Sequence, residues 1–280
     1  MIRSNLKLTS KIFLLVSLSF SIQTFAQEQD ANNVISTEEA VRESVKLAPC
    51  SNGKRLEAVK KLFAAMGAKD DEITIEKFGK ISNVVVKKKG KTDETVIVGA
   101  HYDFAELGCG AIDNWTGVAI IAHMYRTIRQ IETQKSFVFV AFDEEEKGLR
   151  GSAAMAKAIP VEKRAAVCAM LNFDSFGFTA PWALKNVSSP KLVAFAEKLA
   201  EESKFRFFNV ELPAAADSLT FKMRQIPAIT FSGLNNRWRD FIHSQKDQVG
   251  AINMTAVYLG YRFGLVLASW VDASGCQEFR

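Results

Sequence analysis

The sequence predicts an α/β fold, a three-layer sandwich whose mixed, mainly parallel central sheet is flanked by helices. Apolar runs of strand length, such as Ser136-Phe137-Val138-Phe139-Val140-Ala141-Phe142, lack the polar alternation of a half-exposed strand and indicate strands buried on both faces. These runs alternate with helix-length segments, the pattern of a parallel sheet with crossover helices. With 48% hydrophobic and 24% charged residues, the 280 residues suffice for one large domain or two modest ones. That composition excludes a disordered chain, a collagen-like chain and a multi-span membrane protein.

The elements follow in order. Ser36-x-x-Glu39 reads as a capping box that opens a helix through about residue 48. A second helix over about 53–66 stops at Gly67. Strands are expected at 83–88, ended by Gly90, and at 94–100. A helix near 116–130 leads to strand 136–142, and a short helix near 151–158 leads to strand 166–173. Helix 190–203 precedes a short strand at 206–211 and a helical stretch at 217–224. Strand 227–231 and helix 252–270 end the series. The last helix is apolar from 254 to 271, but it carries Arg262 at its middle between Gly260 and Gly264, so a buried core helix is expected rather than a membrane span. The sequence has no internal repeat, low-complexity stretch or Pro/Ser-rich linker.

The N-terminus carries an address. Arg3, Lys7 and Lys11 precede an apolar run over 12–22, and Thr24-Phe25-Ala26 then sets small residues before the polar Gln27. This is the pattern of a secretory signal peptide over 1–26, with an apolar run too short to span a bilayer. The expected product is a single exported domain over 27–280, periplasmic or secreted, with 27–70 as a helical segment packed on it. The net charge of +5 owes three units to the signal; 33 basic residues then face 31 acidic ones, a balance of +2. So near neutral a chain needs no nucleic acid as partner. Four cysteines, Cys50, Cys109, Cys168 and Cys276, remain for an oxidising destination. They allow three full pairings, and Cys168, inside the apolar run 165–171, also suits a buried thiol. With no Cys-x-x-Cys pair, a cysteine metal site is not expected.

Residues with metal-ligand chemistry gather at one kind of place. His101 and Asp103 follow strand 94–100, Glu144, Glu145 and Glu146 follow strand 136–142, and Asp174 follows strand 166–173. Asp113 stands just before helix 116–130, and His243 lies in the loop after strand 227–231. Open α/β sheets bind ligands outside the carboxyl ends of their strands. Two histidines and several carboxylates gathered there suit divalent ions such as zinc. Positions i and i+2 share a face, so Asp103 is placed to hold the ring nitrogen of His101 that does not bind metal. Taken singly, each feature has an ordinary explanation as a surface turn, a charge run or a helix cap. His123, among Ile120, Ile121 and Met124, reads as a structural core histidine.

Together the motifs are specific. Gly99-Ala100-His101-Tyr102-Asp103, Gly110-Ala111-Ile112-Asp113-Asn114-Trp115-Thr116-Gly117, Phe142-Asp143-Glu144-Glu145-Glu146-Lys147-Gly148-Leu149-Arg150-Gly151-Ser152, Leu171-Asn172-Phe173-Asp174, Ile226-Pro227-Ala228 and the His243 loop occur in this order. Over roughly 83–270 the chain resembles the exported zinc aminopeptidases, a family that also holds glutaminyl cyclases and the protease-like domain of transferrin receptor. The resemblance implies a zinc-exopeptidase-like fold and two zinc ions per chain. Asp113 would bridge them, with His101 and Asp174 completing one ligand set, and Glu146 and His243 the other. Glu145, in the register counted back from Gly148-Leu149, would be the general base, Asp103 the partner of His101, and Glu144 the extra acid. Members often hold the peptide after the bridging Asp in the cis form. The implied activity is hydrolysis of N-terminal residues from peptides with a free N-terminus, by a water activated at two metal ions and without a nucleophilic Ser or Cys.

Two other readings share the resemblance. One is a glutaminyl cyclase, an acyltransferase working with one zinc; Asn114 after the bridging Asp and the Ala216-Asp217-Ser218 run argue against it, where such relatives often show Ser and Asp-Asp-His. The other is a non-catalytic binding domain, a type that loses ligands this chain keeps. Asp217-Ser218 departs from the aromatic residue or His that many relatives carry after that Asp. Arg237 and Arg239, flanking Trp238, read as surface charges or, alternatively, as a bidentate reader of a substrate carboxylate.

Overall fold

Helix α1 (Glu38–Lys46) is capped by Thr37, whose hydroxyl accepts from the amide of Ala40 at 3.2 Å. The cap is therefore one residue later than the expected Ser36. The computed structural model describes residues 34–280, of which Thr37–Arg280 cluster as one unit, and the signal peptide expected at 1–26 lies outside the described residues. Helix α2 (Asn52–Ala65) ends before Gly67, which takes a φ of 95° that its lack of a Cβ allows. Strands β1 (Ile73–Phe78) and β2 (Ile81–Lys88) form a hairpin, and β3 (Thr95–His101) begins the buried centre of the sheet. Helix α3 (Thr116–Ile128), β4 (Ser136–Phe142), α4 (Arg150–Ala158) and β5 (Val167–Phe173) continue the alternation read from the sequence. There follow β6 (Trp182–Leu184), α5 (Pro190–Glu202), β7 (Asn209–Val210), α6 (Ser218–Lys222), β8 (Ala228–Ser232) and α7 (Met254–Ala273).

The eight strands form one mixed sheet in the order β1-β2-β4-β3-β5-β8-β6-β7. Its centre, β4-β3-β5-β8, is parallel, while β2 pairs antiparallel with β4 and β6 antiparallel with β8. Strands β1 and β6 were not expected from the sequence. In β1, Glu76 and Lys77 interrupt the apolar pattern of an edge strand, and β6 has only three residues. Strand alternation sorts the core into two layers. Ile97, Val140, Phe142 and Met170 pack with Met155 of α4 and Phe221 of α6. Phe139, on the opposite face from Val140, meets the ring of Tyr125 from α3 at 5.5 Å.

By length and composition α7 is apolar enough to cross a membrane. It lies against α1 and α3, with Val257, Tyr261, Phe263, Leu267 and Val271 buried and Arg262 exposed. All four cysteines are paired, Cys50 with Cys109 and Cys168 with Cys276, so the buried Cys168 is not a free thiol.

The register places the site. His101 pairs with Phe142, and Gly99 with Asn172, so β3, β4 and β5 deliver His101, the Glu145 loop and Asp174 to the same sheet edge.

Candidate metal centre

His101 closes β3 with its ring almost wholly buried. Its Nε2 lies 3.1 Å from Asp113 Oδ1 and 3.7 Å from Asp174 Oδ1. Asp113 sits in a kinked turn, Ala111–Trp115, whose backbone is non-helical at Asp113 and Asn114 and which is entered through Gly110 at a φ of 52°. A Cβ at Gly110 would run into Phe104, so only glycine fits the entry. The Asp113–Asn114 peptide is cis, as the resemblance implied. Asn114 ties this turn to the end of β5: its amide donates to Phe173 O at 2.9 Å, and its Oδ1 accepts from Gly117 N and Ser175 N.

The other oxygen of Asp113 faces the other histidine. Asp113 Oδ2 is 3.2 Å from His243 Nε2, which also stands 2.9 Å from Glu146 Oε2. Glu145 and Glu146 are held by Asp103, whose carboxylate accepts their backbone N–H groups at 3.0 and 3.2 Å. The expected pairing of Asp103 with His101 takes a different form. The Asp103 carboxylate is 3.5 Å from His101 Nδ1, and its backbone carbonyl is closer, at 3.2 Å. Glu144 turns away at a φ of 53° to pair with Lys147 and Arg150.

Two groups of three donors result, His101–Glu145–Asp174 and Asp113–Glu146–His243, each with its ligand atoms within 4.8 Å of one another. One imidazole and two carboxylates per group is a donor set that zinc accepts. Electrostatics point the same way. Burial opposes a charged His101, yet Glu145, Asp103, Asp113 and Asp174 outweigh it and raise the imidazole well above its ordinary range. Hydrogen bonds with Asp113 and Glu146 raise His243 to about 10. Burial holds Glu145 well above the usual carboxylate range, and Asp217, Asp174 and Asp113 add to it. Burial likewise lifts the enclosed Asp217 to about 7. So many carboxylates in one buried place demand cations, whether protons on the histidines or metal ions between them.

The donors open into a cavity of about 410 Å³, walled by Trp182, Leu184, Leu212, Leu234, Trp238 and Ile242. The flanking arginines do not line it. Arg237 pairs with Asp240 at 3.0 Å, and Arg239 stacks on Trp238 at 4.4 Å, so the surface-charge reading of this pair holds. Sequence reasoning missed the wall from β6 and the 212–215 loop, because nothing in a short apolar stretch says that it faces a cavity rather than the core. Asp247 also escaped notice, although its spacing of four from His243 was visible.

The profile of Peptidase family M28 matches residues 83–259, from β2 into α7, and takes in every donor named above. The chain belongs to peptidase family M28. Leucine aminopeptidase 1 of Trichoderma harzianum is 30% identical over 173 residues, which cover 52% of this chain and 43% of that protein. This M28 chain spans less than half the length of the curated relatives it matches. Among solved structures, the LapA aminopeptidase of Legionella pneumophila superposes with a TM-score of 0.73 at 16% identity, covering 88% of this chain and 75% of its own. A glutaminyl cyclase from an Acidobacteriales bacterium gives 0.74 at 18% identity, covering 85% and 95%. The M28 chain shares its fold with both.

Proposed function

We propose that this M28 chain is an exported, zinc-dependent aminopeptidase that removes N-terminal residues from peptides with the help of two metal ions. The observation that carries the reading is the split carboxylate of Asp113, with one oxygen toward His101 and the other toward His243. His101, Asp113 and Asp174 would hold one zinc, and Asp113, Glu146 and His243 the other. When bound, the ions supply Lewis acidity toward the scissile carbonyl and a lowered pKa for the attacking water. Glu145, on the cavity wall beside His101 and Asp174, takes the water's proton and passes it to the departing amine. Burial serves this role by making its carboxylate more basic than an ordinary glutamate. Asp103 fixes Glu145 and Glu146 through their backbone and steadies His101 from behind.

The rest of the cavity defines the substrate. The wall of Trp182, Leu184, Leu212, Leu234, Trp238 and Ile242 suits a large apolar side chain on the first residue. The free N-terminal amine stands among the carboxylates. Pairing of all four cysteines supports an oxidising compartment, in line with the signal peptide expected at 1–26.

The test is zinc content per chain, together with hydrolysis of a leucyl p-nitroanilide by wild type and Glu145→Gln. Two zinc ions in both proteins and a loss of about 10²–10⁴-fold in kcat for the variant are expected. A second reading, a glutaminyl cyclase with one zinc, is favoured by the fit to 95% of the cyclase's length. One zinc, no hydrolysis and cyclisation of an N-terminal Gln would replace the first reading with the second.

A further inference from the structure

The donors divide by how the fold carries them. His101, Glu145, Glu146 and Asp174 follow directly from the ends of β3, β4 and β5, which the sheet holds in register. Asp113 and His243 do not: both sit on loops, and their loops meet. Asp247, four residues beyond His243, is buried to 1% exposure. Its Oδ1 accepts from Ile112 N at 2.6 Å and its Oδ2 from Asp113 N at 3.2 Å, while its backbone carbonyl accepts from Cys109 N at 2.8 Å. Its own amide donates to Ser244 O at 3.1 Å, which closes the turn after His243. At Gly108, with φ 73°, a Cβ would strike the carbonyl oxygens of Ser244 and Asp247, so the two backbones touch.

A second residue grips the same segment from the other side. Arg55 of α2 is fully buried and makes no ion pair within 4 Å among the described residues. Its guanidinium instead donates to four carbonyls, Pro49, Tyr102, Cys109 and Gly110, and lies over the ring of Phe104 at 4.5 Å. The Cys50–Cys109 disulfide fastens the segment to the start of α2. Amides of residues 109, 112 and 113 are thus taken by Asp247, and carbonyls of 109 and 110 by Arg55.

We infer that Asp247 and Arg55 are positioning residues that lock the Asp113 turn and the His243 loop into one body, and so build the Asp113–Glu146–His243 metal pocket. The inference rests on the metal ligands proposed above. It predicts an unequal effect: the strand-borne pair His101 and Asp174 keeps its place without the clamp, whereas the loop-borne pair loses its spacing.

The experiment compares zinc binding by wild type, Asp247→Asn, Arg55→Lys and Asp272→Asn, by competition with a chromogenic chelator. Asp272 is the control, because its carboxylate caps Gln134 N and Lys135 N in the same chemical manner at the remote end of the sheet. Circular dichroism and thermal unfolding of the zinc-free proteins report structure separately. The expected result is a folded Asp247→Asn protein that binds the Asp113–Glu146–His243 zinc at least about tenfold more weakly, with the other zinc, which also shares Asp113, weakened less and with Asp272→Asn unchanged. Arg55→Lys, which keeps the charge and loses the fork, shifts in the same direction and decides the matter if Asp247→Asn does not fold. Unchanged zinc affinities in the folded variants, with or without a lower unfolding temperature, overturn the inference. A wild type that holds one zinc removes the two-metal reading alone; the clamp then stands or falls by whether the variants weaken that single ion.

Discussion

Two of the three histidines in this chain are equally buried and behave in opposite ways. His101, 1% exposed at the end of β3, is surrounded by Glu145, Asp103, Asp113 and Asp174, which raise its pKa well above the ordinary range against the effect of burial. His123, 0% exposed in α3, faces Ser44 Oγ at 2.9 Å and the edge of the Tyr261 ring, and burial lowers it to about 4. The same ring at the same depth favours a cation in one place and excludes it in the other. Burial by itself neutralises an imidazole; carboxylates held at a strand edge turn it into a seat for a positive ion. A metal centre is therefore recognised by the company its histidines keep and not by their depth.

The sharpest way to break this contrast is to remove each ring in turn. His101→Ala is expected to lower kcat/KM for a leucyl p-nitroanilide by on the order of 10³-fold or more and to reduce bound zinc, because a proposed ligand has gone. His123→Gln is expected to leave both within about twofold, since its network of α1, α3 and α7 does not reach the cavity. A collapse of zinc binding in His123→Gln with the fold intact would refute the division.

The division was partly legible in the sequence. The ends of β3, β4 and β5 could be read because largely apolar runs stop at His101, at Asp143 and at Asp174, and the sheet brings those three strand ends to one edge. His123 could be read because Ile120, Ile121 and Met124 surround it on one helix. Asp113 and His243 are different: no periodicity places a loop residue, so their positions beside a helix start and after a strand marked them as candidates, and the resemblance gave them their roles. Asp247 and Arg55 were illegible for a stronger reason. Their partners are main-chain groups far away in sequence, 135 residues away for Asp247 and Ile112, and a backbone amide carries no residue identity to match. Cysteine pairing stayed open for the same reason, since Cys50 and Cys109 come together only once α2 lies beside the Asp113 turn. The hairpin strand β1 was missed because Glu76 and Lys77 of an edge strand imitate a loop.

A smaller effect sharpens the same comparison through pH. In the unfolded chain His123 takes a proton below its ordinary 6.5, while in the folded protein it resists until about 4. Between those values the unfolded state binds more protons than the native state, so this group's contribution to stability is complete above pH 6.5, falls as the pH falls, and is gone below 4. The full loss amounts to about 3 kcal/mol, of which about 2 kcal/mol is lost by pH 5. His101 carries the opposite sign: its raised pKa contributes stability that is present at low pH and lost as the pH rises. Urea unfolding of chelated wild type and His123→Gln at pH 7.5, 6.5, 5.5 and 4.5 isolates the core histidine, because the variant keeps His101 and His243 and removes only the buried ring. Wild type should lose stability relative to the variant as the pH falls, and the gap should close over the 6.5–4 window. Parallel curves for the two proteins across that window would mean that the native His123 takes up its proton at the same pH as in the unfolded chain, and that burial does not exclude the charge from it.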